Sequence, residues 1–231
     1  MNRFVVEPAQ MAGDSFPVPA VIAHQVARVL RLRDGDEVML LDGAGSEARC
    51  RLVGGGTMLE VIERAPSGGE PRHRLTIWQA LLKGDGLERV VQQGTELGVA
   101  SFRLMTTERV VAREISQRRM ERLRAIARES TEQSERGIVP SVEAPAPFEG
   151  ALEPGAVLLF ERADDSHPGL GQLEPPLSVI IGPEGGFTAN EVAAAERAGV
   201  ALAGLGPRIL RAESVAIAAA AVILSRSGDF A

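Results

Sequence analysis

The segment Val179-Ile180-Ile181-Gly182-Pro183-Glu184-Gly185-Gly186-Phe187 carries the densest run of residue types suited to ligand chemistry. A stretch of strand-forming residues enters a glycine-rich loop, and Thr188-Ala189-Asn190-Glu191 then has the composition of a helix capping box. Turns of this kind at the carboxyl edge of a parallel sheet are where α/β proteins bind ligands. Glycines let backbone groups approach a ligand closely and accept positive φ angles that other residues resist. The loop lacks the GxGxxG spacing of a dinucleotide site and the Gly-Lys-Ser/Thr ending of a P-loop, which disfavours hydride transfer and phosphate cradling. A tight turn with no ligand is the plain alternative. A second constellation, Leu205-Gly206-Pro207-Arg208-Ile209-Leu210-Arg211-Ala212-Glu213-Ser214, follows the next strand candidate and leads into a helix. Alone, its two arginines and glutamate read as an exposed loop with salt bridges. Two adjacent strands that both end in Gly-Pro loops would instead bring those loops to one crevice.

The elements that must position these loops follow from hydrophobic periodicity. Short β segments at Arg3 to Val6, Glu37 to Leu41, Ala48 to Leu52 and Thr57 to Ile62, with Asp-Gly and Gly-Gly-Gly turns, read as a small barrel. One helix over Ile22 to Leu30 interrupts it. The Pro- and Gly-containing stretch Ala65 to Arg72 reads as a linker, which divides the chain into domains at 1–70 and 71–231. Beyond it, strand candidates Leu75 to Leu81, Ser101 to Thr106, Ala156 to Phe160, Leu177 to Ile181 and Ala201 to Leu205 alternate with helices, the pattern of an α/β parallel sheet. The helices are expected at Gly86 to Leu97, at Ser116 to Arg136, after Thr188, and at Glu213 to Ser225. The last is almost wholly apolar and should be buried all round, in the core or against a second subunit.

Composition bounds the remaining possibilities. The longest apolar run, Val215 to Leu224, is half of the roughly 20 residues that span a bilayer, and no basic-then-apolar signal follows Met1, so a cytoplasmic protein without a membrane partner is expected. Cys50 is the sole cysteine and the three histidines are scattered, which argues against disulfides and metal. We read His24, His73, His167, Trp78 and Cys50 as structural or surface residues. The net charge of −6 speaks against a nucleic-acid partner, because phosphate contacts need basic residues. That average is not uniform. Between Arg103 and Arg136 stand nine arginines and six glutamates, a balance of +3, whereas the other 16 basic and 25 acidic residues leave −9. Lys83 is the only lysine.

Several ordered motifs closely resemble the RsmE family, the 16S ribosomal RNA uridine N3-methyltransferases of the SPOUT superfamily. They are His24 with Val29-Leu30-Arg31, Gly35-Asp36, Asp42-Gly43, Lys83-Gly84-Asp85, Gln92 with Thr95-Glu96-Leu97-Gly98-Val99, and Thr107-Glu108-Arg109. Glu129-Ser130, Glu132-Gln133-Ser134 and Arg136 continue the series, followed by the two loops above. The chain departs at Glu135, where the family pattern has glycine, and at Glu213-Ser214-Val215, where it has Glu-Thr-Ala.

The resemblance implies an N-terminal PUA-like β-barrel that binds RNA, and a C-terminal SPOUT domain with a parallel sheet and a trefoil knot at about 156–231. It implies a homodimer. It also implies that S-adenosylmethionine lies in the knot between three loops, here Leu159, Phe160 and Glu161; Ile181, Gly182, Pro183, Glu184, Gly185 and Gly186; and Leu205, Gly206, Ile209, Leu210 and Arg211. Uridine N3 must lose a proton before it can attack a methyl group, so a base or an anion stabiliser is needed. Glu184 and Glu213 are candidates for the base, and Arg211 for the stabiliser. For contact with 16S rRNA within the small subunit the candidates are Arg3, Arg31, Arg109, Arg113, Arg118, Arg119, Arg122 and Arg136. The rival readings are another nucleotide-using α/β enzyme and a non-catalytic RNA-binding or ribosome-assembly module.

Overall fold

The computed structural model describes residues 1–111, 114–161 and 167–230. The chain divides into two compact units, Met1–Glu70 with Thr131–Val139, and Pro71–Ser130 with Pro140–Ala231.

The first unit is built on five strands, β1 (Asn2–Val5), β2 (Ser15–Pro17), β3 (Glu37–Leu41), β4 (Ser46–Val53) and β5 (Met58–Pro66). They form one mixed sheet in the order β1-β3-β4-β5-β2, in which only the β1–β3 pairing is parallel. The single helix expected over Ile22 to Leu30 is instead a short α1 (Ala20–His24) that widens into a π-helical turn, Gln25–Val29. Alternation of side chains places Val38 and Leu40 of β3 and Ala48, Cys50 and Leu52 of β4 on one face, in a core closed by Phe4, Phe16, Ile22 and Val26. Burial pushes the Cys50 thiol up to about 11, although the charge of Arg64 acts against it, so at neutral pH Cys50 is an uncharged packing residue.

The opposite face of β3 explains why its apolar run is unbroken. Met39 and Leu41 are buried there with Val5, and Val139 packs over them. The covering segment, Thr131–Val139, is anchored by charge-assisted bonds: the Val5 amide donates to Glu132 at 2.7 Å, and the Gly137 and Ile138 amides donate to Glu70 at 3.1 and 3.0 Å. A boundary drawn from linker composition near residue 70 does not anticipate this return of the chain.

The second unit holds six parallel strands, β6 (Thr76–Ala80), β7 (Ser101–Thr106), β8 (Ser141–Pro147), β9 (Ala156–Leu159), β10 (Ser178–Ile181) and β11 (Ala201–Ala203). Their order is β11-β9-β10-β6-β7-β8, with every pairing parallel. Strands β9 and β10 are buried at every residue, as a parallel sheet covered on both sides requires. Helices α2 (Gly86–Leu97), α3 (Gln117–Gln133), α4 (Ala189–Arg197) and α5 (Ala212–Arg226) complete the unit, although the last turn of α3 belongs to the first unit. Strand β8 lies outside the sequence-predicted set because Pro145 and Pro147 interrupt its pattern; its place at the sheet edge tolerates both.

Strands β10 and β11, expected to be adjacent, are not neighbours: β9 lies between them. A parallel connection crosses over through a helix, here α4, so consecutive strands need not pair. The end of β9 therefore lies between the two loops. Helix α5 packs on α2 and buries Ala212, Ala216, Ala219, Ala220, Ile223 and Leu224, while Val215, Ile217, Ala221 and Val222 are only half-buried within the chain. No helix among the described residues is long and apolar enough to cross a membrane.

Candidate active site

Register sets the floor of the site. Gln79 of β6 pairs with Ile181 of β10, Ile181 with Leu159 of β9, and Leu159 with Ala203 of β11. Four neighbouring strands therefore end at one level, and the turns that follow them enclose a cavity of about 740 Å³. That volume lies within the roughly 300–1,000 Å³ typical of small-molecule sites.

The β9 end contributes Leu159, Phe160 and Glu161 to the wall, and the β10 end contributes Ile181, Gly182, Pro183, Glu184, Gly185 and Gly186. From the segment after β11 come Leu205, Gly206, Ile209, Leu210, Arg211 and Glu213. The cavity thus brings together every residue that the resemblance assigns to the cofactor and the three nominated for catalysis on chemical grounds. Two glycines are required by geometry. Gly186 has φ +67°, and a Cβ there would lie 2.5 Å from Glu161 Oε1; a Cβ on Gly182 would lie 3.1 Å from the Phe187 ring.

The β10 loop is held from several sides. The Lys83 amide donates to Glu184 Oε1 at 2.9 Å, Gln79 Nε2 donates to the Gly182 carbonyl at 3.4 Å, and Arg109 Nη1 donates to the Gly185 and Phe187 carbonyls at 2.9 and 3.1 Å. Buried Glu191 accepts the Thr188 amide and the Glu108 amide, both at 2.8 Å, completing the α4 capping box and fixing the end of β7 to it. The segment after β11 differs. Among the described residues, no side chain from Leu205 to Arg211 makes a hydrogen bond or ion pair, and Ile209 is 84% exposed.

Three charged wall residues were not singled out for this role: Lys83 and Asp85 from the turn after β6, and Arg208. For Lys83 the signal was its status as the only lysine. Asp85 accepts from Arg89 at 2.9 Å, and that hydrogen bond and charge hold its carboxyl below the usual range, so it stays ionised and makes a weak base. Of the two nominated bases, Glu184 has one oxygen occupied by the Lys83 amide. Glu213 lies in the first turn of α5 and is unpaired among the described residues.

The arginines nominated for RNA divide sharply. Arg31, Arg118 and Arg122 are exposed and unpaired among the described residues. Arg3 is paired with Glu47 at 3.0 Å and Glu135 at 3.3 Å. Arg109 binds the β10 loop, and Arg119 donates to the Gly84 carbonyl at 2.6 Å and to Glu88 at 3.1 Å. Arg113 lies outside the described residues. Arg136 is corrected outright: it is 2% exposed and grips Glu70 at 2.7 and 3.2 Å, because a buried guanidinium must have an anionic partner. Its surroundings are those of a structural residue, with no face open to phosphate.

The chain matches a family model described as an RNA methyltransferase domain over residues 69–224 and another described as an RNA methyltransferase PUA domain over residues 24–57. The ribosomal RNA small subunit methyltransferase E of Synechocystis sp. is 36% identical over 233 residues, covering 96% of this chain and 76% of that protein. The crystal structure of the Neisseria gonorrhoeae ribosomal RNA small subunit methyltransferase E bound to S-adenosyl methionine superposes with a TM-score of 0.87 at 28% identity, covering 97% of each chain. A putative methyltransferase from Legionella pneumophila, in complex with the cofactor SAM, gives a TM-score of 0.84 at 25% identity and 96% coverage of each. The three walls at the carboxyl edge of the parallel sheet, the two matched domains and the near-complete overlap with these relatives agree: the chain belongs to the RsmE family of ribosomal RNA small subunit methyltransferases.

Proposed function

We propose that this chain, an S-adenosylmethionine-dependent methyltransferase of small-subunit ribosomal RNA by family, methylates N3 of one uridine in the 16S molecule. The observation that carries the reading is the cavity that two glycine-bearing loops line beside four level strand ends, one loop following the strand on each side of β9. The site fits the cofactor. Leu159, Ile181, Leu205, Ile209 and Leu210 offer apolar faces for adenine, and the glycine backbone offers amides and carbonyls for its edge. Glu161, whose carboxylate stands over Gly186, suits the ribose hydroxyls, and Arg208 suits the amino-acid carboxylate. Bound there, S-adenosylmethionine supplies an electrophilic methyl group for in-line displacement.

The protein's own work is alignment, exclusion of water and handling of one proton. Orientation of two reactants is worth roughly 7–11 kcal/mol when geometry is near that of attack. Glu213 is the base this arrangement leaves available to take the N3 proton, and Arg211 stabilises the negative charge that spreads onto the uracil carbonyls. The target base must leave its stack to reach N3 alignment. Of the nominated arginines, Arg31, Arg118 and Arg122, exposed and unpaired among the described residues, suit RNA phosphates.

The first unit would close as a PUA-like barrel that binds RNA, and the segment at about 156–231 would thread a trefoil knot; insertion of β10 between β9 and β6 supports that threading. The half-buried apolar side of α5 supports a homodimer, and the substrate supports a cytoplasmic site of action. The test combines calorimetric titration with S-adenosylmethionine and transfer of labelled methyl to small subunits from cells lacking the endogenous activity. A single 3-methyluridine mapped in 16S rRNA is expected. Cofactor binding without any transfer to rRNA would leave only the non-catalytic RNA-binding reading.

A further inference from the structure

We infer that Arg109 and Arg119, residues of the basic segment that follows β7, are positioning residues for the walls of the methyl-donor cavity. The inference rests on the reading of that cavity given above. Neither residue lines the cavity. Arg109 stands behind the β10 loop, where its Nη1 spans the Gly185 and Phe187 carbonyls at 2.9 and 3.1 Å. A Cβ added to Gly185 would lie 3.3 Å from Arg109 Cβ, so loop backbone and arginine stem are in direct packing contact. Arg119 does the same for the turn after β6: Nη2 donates to the Gly84 carbonyl at 2.6 Å and Nη1 to the Leu82 carbonyl at 3.4 Å, while Glu88 fixes the guanidinium at 3.1 Å. Lys83, between those two carbonyls in sequence, donates its amide to Glu184 Oε1. The turn and the β10 loop are thereby joined to each other and each is braced by an arginine.

Carbonyl oxygens satisfied from behind cannot turn into the cavity, and the amide groups on the same peptides keep a fixed direction. A planar guanidinium with several donors in one fork can bridge two carbonyls, which a single ammonium does less well. Two arginines of the basic stretch between Arg103 and Arg136 are thus committed to backbone carbonyls of the fold. Arg118 and Arg122 on α3, exposed and unpaired among the described residues, remain for a polyanion.

The test compares Arg109→Ala and Arg109→Lys with Arg122→Ala, using full-length protein and S-adenosylmethionine itself. Arg109→Ala should weaken cofactor binding measured without RNA by about tenfold, raise KM for the cofactor by a similar factor, and leave kcat at saturating cofactor close to normal. Arg109→Lys should fall between, and it serves as the informative variant if the alanine form does not fold. Arg122→Ala should leave cofactor affinity unchanged and reduce the slope of RNA affinity against log salt by about one. Unchanged cofactor affinity in both Arg109 variants, or a reduced RNA salt slope in them, overturns the inference. Failure of the unaltered protein to bind S-adenosylmethionine would instead overturn the reading of the cavity.

Discussion

Two walls of one cavity are made in different ways. The β10 loop, Gly182 to Gly186, is held by Lys83, Arg109 and Gln79, and the capping box at its far end is locked by Glu191. The segment after β11, Leu205 to Arg211, has no such side-chain tethers among the described residues and leaves Ile209 uncovered. Both contain a glycine at positive φ, Gly186 at +67° and Gly206 at +81°, so backbone freedom alone does not separate them. The difference lies in what surrounds the glycine. Polar groups committed to holding a loop are unavailable for chemistry, whereas those on the open wall are free to meet a substrate. A rigid wall can hold a cofactor in preset geometry, and an open wall can admit a nucleotide.

The two glutamates give the largest test of that contrast. Glu184 belongs to the braced wall, and glutamine in its place keeps an oxygen for the Lys83 amide; its turnover should fall by less than about tenfold. Glu213→Gln removes the unpaired carboxylate and should lower kcat by about 10²–10⁴-fold, the usual range for a general base. Reversed sensitivities would place the base on the braced wall. Next in size is Arg211→Ala, expected to lower methyl transfer by about 10²–10³-fold with an unchanged melting temperature, because the side chain is exposed and unpaired among the described residues. Near-normal turnover would remove Arg211 from the chemistry.

A smaller effect separates the glycines. In Gly186→Ala the new methyl group meets Glu161 Oε1 in addition to the left-handed backbone, and cofactor binding should weaken by about 1–3 kcal/mol. A Cβ on Gly206 meets nothing within 4 Å, so Gly206→Ala carries backbone strain alone, about 1–2 kcal/mol, and should weaken binding less than Gly186→Ala does. Calorimetric titration with S-adenosylmethionine decides between them. Equal losses would mean that the open wall is as constrained as the braced one.

Legibility in the sequence followed the same division. Strand β7 and helix α2 match their predicted bounds because period-2 and period-3.6 patterns are strong over Ser101–Thr106 and Gly86–Leu97. Both loops were legible through their glycines and flanking strands. What periodicity cannot show is which polar side chain turns inward. Arg109, Arg118, Arg119, Arg122 and Arg136 are the same residue type within one short stretch, yet one holds the donor loop, one a turn, one a half-buried carboxylate, and two face solvent. Those partners are 31 to 78 residues away in sequence. The return of Thr131–Val139 to the first sheet was equally hidden, because it depends on an uncovered face of β3. A truncation at Pro71 would remove the surface on which that segment packs, and loss of activity in such a variant would not isolate an RNA-binding role.

The smallest expected effect concerns Glu135, the family departure at a glycine position. Helix α3 ends with the Arg136 amide donating to the Thr131 carbonyl at 3.1 Å, and Glu135 sits at the left-handed position of that terminus with φ +58°. Glycine suits this place because it has no Cβ to clash, and an L residue there costs about 1–2 kcal/mol. Glu135 recovers part of that through its contact with Arg3 at 3.3 Å, but its side chain is 66% exposed and such pairs contribute about 0–1 kcal/mol. Its charge thus faces Arg3, while Arg136 turns to Glu70. Glu135→Gly should therefore leave stability unchanged or raise it by up to about 1 kcal/mol after the added freedom of the unfolded chain is counted. Glu135→Ala keeps the strained backbone and loses the ion pair, so it should be the less stable of the two variants in urea denaturation. An alanine variant as stable as the glycine one would show that the left-handed turn at Glu135 is not under strain.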